Sequence, residues 1–215
     1  MKLFLIANGK IPNLLKYYQL LSPDQIIAVN GGTNKALKYN IYPHVVIGDL
    51  DSLKKKFQGK LIKYPKQKDK SDLELAIDYI LSIKSITKLF CFGILGNRID
   101  HTLVNLNLLS KFNYSPPIII YPKQTITILT SNQSILNIPP KTKLSIISLD
   151  KTSQVLIEGF KYQGNYPIPF LSSLGISNIS NSENNQILCQ NGKIIILIYQ
   201  EYYDLLHKNF LINPS

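Results

Sequence analysis

Three polar, glycine-bearing loops carry the side chains of this sequence that are best suited to chemistry. They are Asn30-Gly31-Gly32, Gly48-Asp49-Leu50-Asp51-Ser52 and Gly96-Asn97-Arg98-Ile99-Asp100-His101. Glycine lets backbone amides approach an anion at a helix start, paired carboxylates can hold Mg²⁺, and an arginine fork can bind phosphate. Each loop alone is also consistent with an ordinary turn, but together they predict metal-assisted chemistry on phosphate groups.

Asp49 and Asp51 are alternate residues, so in an extended loop both carboxylates point to the same side. Two such groups can hold Mg²⁺ while water and phosphate oxygens complete its octahedron. The sequence Asp69-Lys70-Ser71-Asp72 adds further charges at a helix start. There Asp72 either faces the metal or only favours the helix dipole, and Lys68 or Lys70 could meet phosphate.

Arg98 is the one arginine in a chain with 24 basic residues other than histidine, which suggests that its planar fork is needed. Asp100 is either a functional carboxylate or a cap for the next helix. His101 is either catalytic or a packed helix residue. Since His44 and His207 give no metal-ligand spacing with His101, a zinc site is not expected.

The elements that must position these loops alternate between strand and helix in the first half of the chain. Apolar strand-like runs precede each loop, and Ser71-Asp72-Leu73-Glu74 matches a capping box before an apolar helical stripe. Helical spacing over 100–112 predicts another helix, with Leu103, Leu106, Leu108 and Leu109 facing inward. This alternation predicts a mostly parallel, Rossmann-like sheet whose loops converge at its carboxyl edge.

The pattern changes near Ser115-Pro116-Pro117, after which short strand-like runs separated by turns predict an antiparallel sandwich or barrel. We therefore expect an α/β nucleotide-binding domain over residues 1–116 and a β-sandwich domain over residues 117–215. A short helix is expected over 201–208.

Composition limits the class of protein. The hydrophobic fraction of 45% and charged fraction of 17% are those of a globular protein. The apolar run at the N-terminus is too short for a signal peptide, so a cytoplasmic protein without membrane segments is expected. Two cysteines make no disulfide framework. The net charge of +11 would suit a nucleic-acid-binding module, but the lysines are dispersed, and only Lys54-Lys55-Lys56 forms a run.

The chain resembles the thiamin pyrophosphokinases (thiamin diphosphokinases). The resemblance is carried by the three loops and by Asp69-Lys70-Ser71-Asp72, Glu158-Gly159-Phe160-Lys161-Tyr162 and Ser172-Ser173-Leu174-Gly175-Ile176-Ser177-Asn178, which follow one another in the family order. It implies transfer of the pyrophosphoryl group of Mg·ATP to the thiamin hydroxyl, with release of AMP. It also implies a homodimer that binds thiamin where the subunits meet.

By this resemblance, the catalytic residues are Asp49, Asp51, Asp72, Arg98 and Asp100, of which the first three hold Mg²⁺. ATP would contact Asn30, Gly31, Gly32, Lys68, Lys70, Ser71 and Arg98. Thiamin would contact Asp100, His101, Tyr162, Ser177 and Asn178. The tyrosine could stack on the cationic substrate, or be an ordinary half-buried residue of the sandwich.

Three residues depart from the family pattern. The family usually has aspartate at Asn30, threonine at Ser71 and glycine at Asn97. Ser71 keeps a hydroxyl and Asn97 tolerates a left-handed turn, but Asn30 removes one carboxylate from the expected site. A different Mg-dependent pyrophosphoryl or nucleotidyl transferase, acting on another small alcohol, is the alternative function.

Overall fold

The computed structural model describes residues 1–51, 59–208 and 210–213. Ser52 and the Lys54-Lys55-Lys56 run lie outside the described residues. Contacts within the chain define two compact units: a first unit of Met1–Leu109 with Ile119–Tyr121, and a second unit of Ser110–Ile118 with Pro122–Ser215. The predicted domain bounds, 1–116 and 117–215, stay a prediction about independent folding.

The first unit alternates strands and helices. Its elements are β1 (Lys2–Ile6), α1 (Leu14–Leu21), β2 (Gln25–Val29), α2 (Gly32–Leu37), β3 (Val45–Gly48), β4 (Lys60–Lys63), α3 (Asp72–Leu81), β5 (Lys88–Phe92), α4 (Ile99–Leu109) and β6 (Ile118–Tyr121). The strand order is β6-β5-β1-β2-β3-β4. Strands β5, β1, β2, β3 and β4 pair in parallel, so the predicted parallel sheet is confirmed.

The sheet forms because its central strands are apolar on both faces. In β1 and β5, four consecutive residues of each strand are buried, as is typical of parallel strands covered on both sides. The rings of Phe4 and Phe92 lie 4.8 Å apart, and Tyr17 of α1 packs 5.8 Å from Phe92. This aromatic core fixes the strands whose ends carry the polar loops.

Helix α3 begins as its sequence predicts. The Ser71 hydroxyl accepts a hydrogen bond from the Glu74 backbone N–H at 3.1 Å, which satisfies one of the unpaired amides of the first turn. Its apolar stripe, including Leu73, Ala76 and Ile80, is buried. Asp72 thereby stands at the first helical position, beside the loops.

The prediction for α4 was partly wrong. Leu108 and Leu109 are buried, but Leu103, which was expected to face inward, is 58% exposed. Ile99 is 74% exposed and Val104 is 54% exposed. The predicted helix is present, but the helical spacing of apolar residues in one sequence cannot show that the stripe packs only at its C-terminal end. The N-terminal half of α4 thus presents apolar side chains at its surface.

The second unit is antiparallel. Its elements are β7 (Gln124–Thr130), β8 (Gln133–Leu136), β9 (Lys143–Ser148), β10 (Thr152–Glu158), β11 (Gly164–Pro169), β12 (Asn178–Ile179), β13 (Gln186–Asn191), β14 (Lys193–Ile198), α5 (Tyr202–Leu206) and β15 (Leu211–Asn213). The orders are β12-β9-β14-β7 in one sheet and β11-β10-β13-β8-β15 in the other. Two sheets confirm the predicted sandwich rather than a barrel.

Both cysteines, Cys91 and Cys189, are buried thiols without a disulfide. Burial raises the pKa of the Cys189 thiol to about 12 and raises that of Cys91 as well, so both stay protonated at neutral pH. None of the helices in the described ranges is long and apolar enough to cross a membrane.

Candidate active site

A cavity of about 390 Å³ opens among the loops of the first unit. Its walls come from the loops after β1, β2 and β5, the first turn of α3 and the N-terminal half of α4. Of the predicted site residues, the cavity is lined by Asn30, Gly31, Ser71, Asp72, Arg98 and His101. The convergence predicted from strand ends is therefore found in the structure.

Glycines allow the loops to lie against one another. A Cβ on Gly9 would lie 2.0 Å from the Leu95 carbonyl oxygen, and one on Gly32 would lie 2.2 Å from that of Ile6. Gly93 has φ +66°, and a Cβ there would lie 2.2 Å from the Ala7 carbonyl oxygen. No other residue fits such approaches, so backbone N–H groups can form part of the wall.

Gly93→Ala is expected to lower the melting temperature by about 5 °C or more, because it combines a positive φ with a backbone clash. The matched control is Gly96→Ala, since the nearest atom to its added Cβ is Gly9 Cα at 3.5 Å, an ordinary contact. Differential scanning calorimetry of both variants checks the prediction. Equal melting temperatures would contradict the packing described for Gly93.

The acidic residues are connected through Asn30. Its Nδ2 donates to Asp49 Oδ1 at 2.8 Å and to Asp72 Oδ2 at 3.1 Å. Asp49 Oδ1 also accepts from the Asp51 backbone N–H at 3.2 Å. Asparagine thus lies between a carboxylate from the loop after β3 and one from the first turn of α3.

Gly48 makes this arrangement possible. Its φ is +146°, and a Cβ at this position would lie 3.2 Å from both Asn30 Cβ and Asp72 Cγ. Any side chain would be strained by the backbone and crowded by both neighbours. The glycine before Asp49 therefore lets Asn30 and Asp72 approach the end of β3.

Two lysines balance the carboxylates. Lys68 Nζ lies 2.9 Å from Asp72 Oδ1, in an ion pair whose angles do not make it a hydrogen bond, and both side chains are largely covered. Lys66 Nζ lies 3.3 Å from Asp51 Oδ2 in an exposed pair. Hence Asp51 is turned to the surface, whereas Asp72 is held inside.

The oxygens present fit a hard divalent cation. Asn30 Oδ1 is buried and accepts no hydrogen bond, which leaves this oxygen available to a ligand. Asp72 Oδ1 is also buried but is paired with Lys68, so it becomes available only when Lys68 moves away. Carboxylate and amide oxygens are what Mg²⁺ takes, usually with one or two carboxylates and substrate phosphates. Within 1–51, 59–208 and 210–213, no three His, Cys, Asp or Glu side chains are grouped closely enough to hold an ion alone. Water or phosphate oxygens would complete the coordination of any ion held here.

Arg98, which lines the cavity, pairs with Asp100 two residues further along the chain. Arg98 Nε donates to Asp100 Oδ1 at 2.9 Å, and its Nη2 donates to Oδ2. This pairing holds the pKa of the Asp100 carboxyl well below its usual range. Both side chains are exposed, so phosphate could take over the guanidinium at little cost.

Lys70, next to the N-cap residue Ser71, pairs with a carboxylate outside the cavity. Lys70 Nζ lies 2.6 Å from Asp78 Oδ2 of α3, and Lys70 does not line the cavity. Gly32 and Asp100 are also absent from the described lining residues, and so are Asp49 and Asp51. Lys68 does not line the cavity either, but it pairs with Asp72, which does, so Lys68 and Arg98 are better placed than Lys70.

Sequence reasoning missed the loop after β1. Asn8 and Gly9 line the cavity, and Lys35 Nζ donates to the Gly9 carbonyl. Asn105, which also lines it, donates to the Ile94 carbonyl at 2.8 Å. The signal was present, because Asn8-Gly9 follows a buried parallel strand as the other loops do.

A second, smaller cavity of about 140 Å³ lies within the second unit. It is lined by Ile157, Tyr162, Tyr166, Ile168, Leu174, Gly175, Ile176 and Asn178. Tyr162 is 55% exposed, and Lys161 Nζ lies 5.2 Å from the centre of its ring. The ring face is therefore accessible and already attracts a cation.

Asn178 holds Tyr162 in position. Asn178 Oδ1 accepts from the Tyr162 N–H at 3.0 Å, and its Nδ2 donates to the Tyr162 carbonyl at 2.7 Å. Ser177, with φ 59°, is exposed and does not line the cavity. Of the predicted thiamin contacts in this unit, Tyr162 and Asn178 are brought together and Ser177 is next to them.

Comparisons with known proteins place this geometry in a family. A family model described as thiamin pyrophosphokinase, catalytic domain, matches residues 18–121. A thiamine pyrophosphokinase of Bacillus subtilis is 30% identical over 171 residues, which cover 71% of this chain and 76% of the relative. The chain belongs to the thiamin pyrophosphokinase family. A Caenorhabditis elegans protein named thiamin pyrophosphokinase 1 is 28% identical over 170 residues, covering 71% of this chain and 70% of that relative.

Solved structures agree. The crystal structure of the Bacillus subtilis thiamine pyrophosphokinase has a TM-score of 0.77, with 26% identity, and the match covers 92% of this chain and 98% of that chain. The yeast thiamin pyrophosphokinase matches with a TM-score of 0.73 at 18% identity, over 94% of this chain and 87% of that chain, which shows the shared fold. The thiamin pyrophosphokinase fold thus extends over both units. The residues matched by the catalytic-domain model, 18–121, include those that line the 390 Å³ cavity apart from Ala7, Asn8 and Gly9.

Proposed function

We propose that this thiamin pyrophosphokinase family member transfers the pyrophosphoryl group of Mg·ATP to the hydroxyl of thiamin, giving thiamin diphosphate and AMP. The observation that carries the proposal is the Asn30-bridged pair of Asp49 and Asp72 at a glycine-walled cavity that Arg98 also lines. That combination suits a polyphosphate with its cation. Family membership supports the choice of thiamin as acceptor.

ATP would bind in the cavity of the first unit. Gly9, Gly31 and Gly93 line this cavity, so that backbone without side chains would face the phosphate oxygens, and the N-terminus of the ten-residue helix α3 favours negative charge. Arg98 would leave Asp100 and bind phosphate through its fork. Lys68, now paired with Asp72, would turn to phosphate if a cation took its place.

Mg²⁺ would be held by Asp49 and Asp72, with Asp51 as a further ligand if it leaves Lys66. When bound, the ion would neutralise charge on the phosphate chain and orient it. The protein's own residues would restrain the chain so that the β-phosphorus faces the acceptor. No covalent enzyme intermediate is needed, since positioning and charge stabilisation dominate phosphoryl transfer.

In the transfer, a bond forms between the thiamin oxygen and the β-phosphorus, and the bond from that phosphorus to the α–β bridging oxygen breaks. AMP leaves with this oxygen, and the hydroxyl proton must be released. Asp100 would orient the hydroxyl. While Arg98 is paired with Asp100, the low pKa of the Asp100 carboxyl makes it a poor base. The basicity of Asp100 would increase once Arg98 turned to phosphate.

Thiamin would bind against Tyr162, in the apolar cavity of the second unit. The apolar side chains of Leu174 and Ile176 suit its rings, and the tyrosine face suits its positive charge. His101, at the first cavity, would contact thiamin from the catalytic side. A cytoplasmic location, where ATP and Mg²⁺ are plentiful, is part of this proposal.

Tyr162→Ala is expected to raise the KM for thiamin about tenfold and to leave the KM for ATP nearly unchanged, because the ring would stack on thiamin and lines a cavity other than the one proposed for ATP. Steady-state kinetics with each substrate varied in turn measure both constants. Tyr166→Phe is the matched control, since it keeps the neighbouring ring. An equal rise in both KM values would make Tyr162 a structural residue.

We propose a homodimer with thiamin bound where the subunits meet. Exposed apolar side chains support it: Ile99, Leu103 and Val104 on α4, and Leu171, Leu174 and Ile176 in the second unit. Such groups are normally covered in an assembly. Analytical ultracentrifugation across micromolar concentrations tests the state, and a stable monomer would contradict it.

An acceptor panel tests the substrate. Purified protein with Mg·ATP is offered thiamin, pyridoxine, riboflavin and simple alcohols, and products are detected by mass. Thiamin diphosphate as the preferred product supports the proposal. Preferred pyrophosphorylation or nucleotidylation of another alcohol would establish the alternative transferase.

A further inference from the structure

Asn30 lies between the carboxylates of Asp49 and Asp72, whose negative charges would be expected to keep them apart. Asp49 follows β3 and Asp72 begins α3, and both direct an oxygen at the same side-chain nitrogen. Two carboxylates drawn toward one point repel each other unless a donor or a cation lies between them. In this chain the donor is a neutral amide.

The hydrogen bonds fix the orientation of that amide. Both protons of Asn30 Nδ2 are used, one for each carboxylate, at 2.8 and 3.1 Å. Turning the amide over would place Oδ1 against two anions. The observed orientation leaves Oδ1 buried without a hydrogen-bond partner, a cost that the two charge-assisted bonds offset.

The backbone around Asn30 is arranged for this contact. Asn30 has φ 45°, a left-handed conformation that asparagine tolerates better than most residues. Its N–H donates to the Ile47 carbonyl at 3.0 Å, and its carbonyl accepts from the Thr33 N–H at 3.1 Å. The side chain is therefore anchored to β3 and to the start of α2.

We propose that Asn30 is a positioning residue that clamps Asp49 and Asp72 before any cation arrives, so that the carboxylate pair is preformed without Mg²⁺. A carboxylate at this position would supply more attraction for the ion, but it would leave the site strained in its absence. Asparagine at this position lowers the affinity of the site for a cation, but it keeps the two carboxylates in place when no cation is bound. The inference rests on the proposed use of Asp49 and Asp72 as cation ligands.

The test measures melting temperature in EDTA and in millimolar Mg²⁺, without ATP or thiamin. Asn30→Asp removes the donor and adds a charge, whereas Asn30→Ala removes only the donor. Asn40→Asp and Asn40→Ala are matched controls, because Asn40 is exposed, has φ 57° and lies in the same unit. Differences from these controls exclude the effect of the left-handed backbone.

In EDTA, both Asn30 variants are expected to melt about 4 °C or more below their Asn40 counterparts. Mg²⁺ should restore much of this loss, and Asn30→Asp should reach half of its increase at about tenfold lower Mg²⁺ than wild type. If Asn30→Asp does not fold in EDTA, Asn30→Ala decides. Asn30 variants that match their controls in EDTA would overturn the clamp, as would a loss confined to Asn30→Asp, which would show only added charge.

This measurement is independent of the proposed reaction. If the melting temperatures in EDTA contradict the clamp, thiamin-dependent AMP release still tests the proposed function. Conversely, a chain without that activity could still show the Mg²⁺-dependent melting described for the Asn30 variants. The two ideas can therefore fail separately.

Discussion

Asp72→Asn is expected to lower kcat about 1000-fold, because it removes the buried carboxylate that would hold the cation next to the phosphates. The substitution also leaves Lys68 without its ion-pair partner at 2.9 Å. The melting temperature should therefore fall by a few degrees, but the protein should stay folded at assay temperature. Thiamin diphosphate formation under saturating Mg·ATP measures the rate.

Asp78→Asn is the matched control for this experiment. Asp78 lies on the same helix and pairs with Lys70 at 2.6 Å, but the pair is exposed and outside the cavity. Its loss should change kcat less than about twofold. If Asp72→Asn and Asp78→Asn had the same activity, Asp72 would be a helix-capping charge rather than a member of the active site.

Arg98→Lys is expected to lower kcat/KM for ATP about 100-fold, although it keeps the positive charge. Lysine is a point charge and cannot reproduce two parallel N–H groups directed at phosphate. The variant should remain as stable as wild type, since the Arg98 side chain is exposed and, among the residues that the structure describes, pairs only with the neighbouring Asp100. Initial rates over a range of Mg·ATP concentrations measure the effect.

Arg98→Ala separates charge from geometry. If the fork matters, Arg98→Lys should lie closer to Arg98→Ala than to wild type. A lysine variant with nearly full activity would show that any cation suffices, and the single arginine of this chain would then need another explanation.

The first unit could be predicted well because its signals are local. Buried runs such as those of β1 and β5 are typical of parallel strands, and Ser71 with Glu74 marks the start of α3. Once the strands are known to be parallel, the position of their loops follows from topology. Hence the meeting of Asn30, Asp72 and Arg98 at one cavity was predictable.

Contacts that depend on side-chain packing were not predictable. The bridge from Asn30 to Asp49 and Asp72, and the pairing of Lys70 with Asp78, need coordinates. The exposure of Leu103 depends on which elements cover α4. The spacing of apolar residues along the helix does not give that information. Strand β11 (Gly164–Pro169) escaped because Pro167 and Pro169 argue against a strand, yet it lies at a sheet edge, where proline is tolerated.

The most direct test of the account follows both products of the reaction. Purified protein is incubated with Mg·ATP with and without thiamin, and AMP, ADP, thiamin monophosphate and thiamin diphosphate are quantified by mass spectrometry. The account predicts that AMP and thiamin diphosphate form in equal amounts only when thiamin is present. ADP with thiamin monophosphate, or AMP that forms equally without thiamin, would contradict pyrophosphoryl transfer to thiamin.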